Sequence, residues 1–128
     1  MDSSPNTKTL VSLLWVFVGL NIVVADILSL YVPGTIDQVS SGFAEGVALS
    51  EELMLIGALF IQVPLLMIVL SHVLSPKPFR IMNTAAVIVT TAFVVGGGSL
   101  KLHYLAIASL EVLAMTAIVL LVWLKTED

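Results

Sequence analysis

Two carboxylates, Asp26 and Glu111, sit inside long apolar stretches of this chain. A charge at the middle of a bilayer costs about 2.5–3.5 kcal/mol on insertion scales, so acids retained in such segments are expected to bind a cation, relay a proton or join helices through a polar contact. Other side chains able to join that chemistry are spread along the same stretches. Asn21, Gln62, Thr90 and Thr91 offer hydrogen-bonding groups, Tyr104 stands two turns before Glu111, His103 adjoins it, and Trp15 can supply an aromatic wall. A carboxylate pair beside aromatic faces suits a small cationic or amphipathic ligand, by ion pairing and cation–π attraction.

The elements that must position these groups are membrane-spanning helices. The 128 residues are 59% hydrophobic and only 11% charged, with a mean hydropathy of +1.11, whereas soluble domains carry roughly 25% charged residues. Each crossing of a ~30 Å hydrocarbon core consumes about 20 residues, which leaves room for one compact domain of four spans. The pattern predicts an all-α integral membrane protein, an antiparallel bundle of four transmembrane helices over about 9–32, 51–75, 81–98 and 103–125. Pro33-Gly34 should stop the first helix. Its apolar run is longer than a signal-peptide core of ~7–15 residues and no clean cleavage pattern follows, so it is expected to stay as a helix. The polar connection from Thr35 to Ser50 repeats Ile36, Val39, Phe43 and Val47 at spacings of three and four, as a short interfacial helix would. Ser50 is placed to cap the second helix, with Glu51 and Glu52 in its first turn. Pro64 is expected to kink that helix by removing a donor and freeing the carbonyl near Phe60. Residues 76–80, Pro-Lys-Pro-Phe-Arg, read as a tight basic turn before a third helix starting near Ile81 and ending at the glycines 96–98.

Orientation follows from the five basic residues. Lys8, Lys77, Arg80 and Lys125 cluster at the N-terminus, the second connection and the C-terminus, and Lys101 alone lies in the third. The positive-inside rule then places both termini in the cytoplasm and the first and third connections outside, in a bacterial inner or plasma membrane. Counting ~1.5 Å per residue, Asp26 lies about 10 Å inward from Pro33 and Glu111 about 12 Å inward from His103, nearly the same depth. Gln62 and Asn21 fall deeper, each about 17 Å from its helix end. Ser12, Gly19 and Asp26 recur every seven residues on one side of the first helix, and Tyr104, Ala108, Glu111 and Met115 make a matching stripe on the fourth. Asn21 is rotated from Asp26 by about 140°, so both reach one cavity only if it is wide or the helix irregular.

Plainer roles stand beside these. The carboxyls can hydrogen-bond neighbouring helices, the amides and threonines can do the same, and His103 and His72 can be wet polar groups at the two surfaces. The triple glycine lacks a preceding strand and a following GKS or GKT, so close packing or flexibility explains it better than nucleotide binding. Cysteine is absent, which excludes disulfides and thiol chemistry. HExxH and GxSxG are missing, no metal or cofactor is implied, and the reading leans away from an enzyme. The net charge of −4 gathers partly at Asp2, Glu127 and Asp128 and offers no basic surface to nucleic acid.

The strings LWVFVGLNIVVADILSLYVPG, IQVPLLMIVLS, the basic turn before IMN, and VVGGGSLKLHYLAIASLEV resemble a family of small four-helix bacterial membrane proteins known only as a domain of unknown function. The resemblance runs from Leu14 to Trp123 and implies a family without an activity. It marks the positions of Asn21, Asp26, Pro64, His103, Tyr104 and Glu111. Relatives often carry an acid at the position of Gln62, so the resemblance implies that the amide here removes an ionisable group from the middle of the cavity. Three function classes are expected. The first is a membrane-embedded binding protein whose acidic cavity opens to the outer face for a small amphipathic or cationic ligand. The second is a small proton-coupled transporter working as a homodimer, similar to small multidrug exporters in size and helix count. The third is a lipid- or isoprenoid-modifying enzyme, or an accessory subunit.

Overall fold

The computed structural model describes residues 6–126; the charges at Asp2, Glu127 and Asp128 lie outside them. Four long helices, α1 (Thr7–Leu30), α3 (Glu51–Val73), α4 (Pro76–Gly96) and α5 (Leu102–Leu124), are each long and apolar enough to cross a membrane. A six-residue helix α2 (Thr35–Ser40) and a two-stranded hairpin, β1 (Phe43–Ala44) with β2 (Val47–Ala48), join α1 to α3.

The long helices form a ring in which α1 packs on α5 and α3, and α4 closes the other side against both. Neighbours run in opposite directions. The start of α1 meets the end of α3 where Ser12 Oγ donates to the Ile68 carbonyl (2.8 Å) and Lys8 Nζ to that of Leu74 (2.6 Å). At its other end Ser29 Oγ meets His103 Nε2 at the start of α5 (3.1 Å). Large apolar side chains such as Leu13, Leu20, Leu55, Leu59, Leu113 and Leu120 project outward. Lipid solvates such groups as well as a protein core does, so the inward face is chosen by packing and hydrogen bonding rather than by hydrophobicity. That face reads Val11, Trp15, Val18, Ile22 on α1 and Phe79, Asn83, Ala86, Thr90, Val94 on α4, helical spacing of three and four.

A polar clamp lies in this core. Trp15 Nε1 donates to Asn83 Oδ1 (2.7 Å), Ser71 Oγ approaches the same oxygen (3.5 Å), and Asn83 Nδ2 donates to the Phe79 carbonyl (2.8 Å). All three side chains are fully buried, so α1, α3 and α4 are tied where water cannot compete for the bonds.

Several boundaries differ from the sequence reading. The basic segment at 76–80 is no turn before a helix at Ile81; it is the first turn of α4, capped by Ser75, with Phe79 N–H on the Ser75 carbonyl (2.9 Å). Proline is at home there because the first-turn N–H groups have no intrahelical acceptor and the ring presets φ. The third span thus gains a turn and reaches 21 residues. Pro64 does not end α3, which stays one helix through it with the ring turned into the core. The spacing of Ile36, Val39, Phe43 and Val47 supports a helix only as far as Ser40. Phe43 and Val47 stand in the hairpin, because Glu45 (φ 49°) and Gly46 (φ 81°) supply the two left-handed residues that a tight two-residue turn needs.

Candidate functional site

An enclosed cavity of about 90 Å³ lies between α1, α4 and α5. Ile22, Ala25 and Asp26 line it from α1, Phe93 and Val94 from α4 with Gly97 at its end, and Tyr104, Ala108 and Glu111 from α5. The stripe Tyr104, Ala108, Glu111 follows helical spacing, so the periodicity of α5 alone aligns all three on one side. A second cavity of about 150 Å³ shares Asp26, Gly97 and Tyr104 with the first and adds Ser29, Thr35, Glu45 and Ser99. It forms a vestibule under α2, the hairpin and the α4–α5 connection, and Asp26 and Tyr104 border both chambers.

The inner chamber is polar in an apolar frame. Glu111 is 2% exposed and its Oε1 has no hydrogen-bond partner, although a buried carboxyl oxygen is costly to leave unsatisfied. Asp26 stays exposed on the vestibule side. Tyr104 Oη donates to the Val94 carbonyl (2.7 Å), which folds its ring across the boundary between the chambers. That posture explains the third glycine of the triplet: a Cβ on Gly98 would come within 2.9 Å of Tyr104 Cε1. One turn deeper on each helix, Val18, Thr90 and Met115 are at most 2% exposed and form the floor. Thr90 Oγ1 is also buried without a partner. At the rim, Lys101 Nζ pairs with Glu45 Oε1 at 3.4 Å and ties the α4–α5 connection to the hairpin. Both ends of that pair are well exposed, so it adds little stability.

Of the residues singled out from sequence, Asp26, Glu111 and Tyr104 meet in the cavity and the others do not. His103 sits at the same end, engaged with Ser29. Because Ser29 Oγ donates its only proton to the Ala25 carbonyl (2.8 Å), it accepts from His103, which places the imidazole proton on Nε2. Trp15 is not a cavity wall: it lies eleven residues from Asp26, about 16 Å along the helix, in the Asn83 clamp. Asn21 turns back on its own helix, Nδ2 to the Phe17 carbonyl (2.8 Å), as its rotation away from Asp26 requires. Gln62 is exposed on the outside of α3, which lends no residue to either chamber. Thr91 Oγ1 contacts Met115 Sδ (3.5 Å) and lines a separate groove between α4 and α5. Gly19 and Ser12 do admit a neighbour, but that neighbour is α3, with Leu65 Cδ2 3.2 Å from where a Gly19 Cβ would be.

Sequence reasoning passed over Glu45, Ser29, Asn83 and Ser71. Asn83 had a signal, since it stands seven residues before Thr90 on the same face of α4. Glu45 had none, because only the hairpin turn carries it over the vestibule. Among the described residues, no three of His, Cys, Asp or Glu come together as a metal-binding set.

Comparison with known proteins gives a family and no activity. A family model described as a family of unknown function (DUF6326) matches residues 1–128, and the chain belongs to that family. No curated protein matches it, and no solved structure does.

Proposed function

Proceeding from a family that carries no activity, we propose that this chain is a membrane-embedded binding protein for a small cation, held between Asp26 and Glu111. The observation that carries the reading is the convergence of both carboxyls on one cavity in which Glu111 Oε1 has no partner. An ammonium group would satisfy that oxygen and cancel charge in one step. Glu45 adds a further acid above the vestibule, so the entrance favours cations over anions. Size narrows the ligand: water takes about 30 Å³ in the liquid, so the inner chamber holds roughly three waters, well below the ~300–1,000 Å³ of sites for drug-sized molecules. A compact primary ammonium fits; any amphipathic tail would remain in the vestibule or among lipid.

The basic end of the bundle, with Lys8, Lys77, Arg80 and Lys125, favours a cytoplasmic location for both termini, which turns the vestibule outward in a bacterial plasma membrane. Thermal unfolding of the detergent-purified protein tests the binding. Methylammonium should raise the midpoint of the wild type, and Asp26→Asn and Glu111→Gln should each remove most of the rise. Tetraethylammonium, too bulky for the chamber, should give none. Equal shifts in wild type and both variants would end the proposal.

A proton-coupled transporter is the second reading, favoured by Thr90 and Asn83, which continue a buried polar line on α4 below the floor. Liposomes carrying the protein would then acidify or alkalinise in response to a methylammonium gradient, and a flat pH-dye trace alongside intact binding would leave the first reading alone.

A further inference from the structure

The largest cavity lies at the opposite end from the acids. It measures about 600 Å³, opens to the outside, and is lined by Ser75, Pro76, Lys77, Arg80, Ile81 and Trp123, where α4 begins and α5 ends. From this groove we infer that the protein binds the headgroup of an anionic phospholipid, its phosphate between Lys77 and Arg80 and the glycerol and first acyl carbons against Trp123 and Ile81.

One wall is built rigid. Trp123 Nε1 donates to Thr84 Oγ1 (2.9 Å), and Thr84 Oγ1 donates to the Arg80 carbonyl (2.8 Å). The Arg80 guanidinium lies 5.9 Å from the Trp123 ring centre and donates through Nη2 to the Thr126 carbonyl. Arginine and tryptophan are therefore fixed before a ligand arrives, which lowers the ordering cost of binding. Lys77 is the adjustable arm. It is exposed and makes no hydrogen bond or ion pair among the described residues, a compact cation on a flexible stem. The site does not rest on the helix N-terminus, since Pro76 and Pro78 have no N–H and Phe79 N–H is spent on Ser75.

Charge and shape select the occupant together. Two cations call for an anion, and the groove's otherwise apolar walls match a group that is anionic at one end and hydrocarbon at the other, which free phosphate is not. An interfacial tryptophan beside basic residues suits headgroup depth, and basic clefts between helices near the membrane surface attract anionic lipids at about 1 kcal/mol per cation.

The test is thermal unfolding of the full chain in mixed micelles containing phosphatidylglycerol, phosphatidylcholine, or inorganic phosphate without added lipid. Phosphatidylglycerol is expected to raise the midpoint well above phosphatidylcholine, with no rise from phosphate. Lys77→Gln should lose at least half of the gain and Lys77→Glu nearly all of it, while Lys101→Gln at the far end should keep it. Equal stabilisation by the two lipids, an undiminished gain in both Lys77 variants, or an equal loss in Lys101→Gln would overturn the site. Stabilisation by phosphate matching that by phosphatidylglycerol would overturn the lipid as its occupant.

Discussion

At the scale of single residues, the stability of the bundle and its proposed binding rest on different polar groups, and substitutions should separate them. Trp15→Phe keeps the ring volume but removes the Nε1–H that satisfies Asn83 Oδ1, and the lost bond should cost about 1–2 kcal/mol, the range for polar contacts between transmembrane helices. Reversible unfolding in detergent would register that loss with the methylammonium response intact. Glu111→Gln should do the reverse, abolishing the response while leaving unligated stability equal or higher, because a neutral amide replaces a buried carboxyl whose Oε1 has no partner. Gly98→Ala places a methyl 2.9 Å from the Tyr104 ring; the expected result is a displaced tyrosine, a broken Oη–Val94 bond and faster ligand exchange, visible as a shift in tyrosine fluorescence and a shorter ligand residence time. Asp26 and Glu111 were legible as candidates because acids stand out in apolar runs. Trp15, Asn21 and Gln62 were misplaced because depth can be counted along a helix while facing depends on which neighbour it meets.

At the scale of elements, four spans could be read from hydropathy and length because no other regular structure satisfies its own backbone in lipid across such runs. The ends were less legible. Residues 76–80 look like a turn to any reading that treats proline as a breaker, yet both prolines fall where a helix needs no donors. The hairpin was hidden because a Glu-Gly turn lacks the Asn-Gly or Asp-Gly signature. It has a consequence: Gly46→Val would force a β-branched residue to φ 81° and should undo the hairpin, freeing Lys101 from Glu45. Hydrogen exchange would then quicken at the hairpin amides and remain slow in the four long helices. Protection lost throughout the bundle would mean that the hairpin holds the fold together, contrary to its few contacts with the long helices.

At the scale of the molecule, the two ends carry opposite charge character, acids around the vestibule and lysines and arginine around the opposite groove. This polarity fixes an expected orientation, and the chain's lack of cysteine makes it simple to check. A single cysteine at Ser99 should react with a membrane-impermeant maleimide on intact cells, whereas one at Lys77 should react only after lysis; the opposite pattern would turn the vestibule toward the cytoplasm. The central claim is narrower than orientation: one small cation sits between Asp26 and Glu111 in a chamber for about three waters. Carbon-13 NMR of side-chain carboxyls in the bilayer-reconstituted protein, titrated with methylammonium, tests it most directly. The account predicts that the Asp26 and Glu111 signals move together and saturate at one concentration while Glu51 and Glu52 stay still; a titration in which either cavity carboxyl is unmoved, or all carboxyls drift alike, would contradict it.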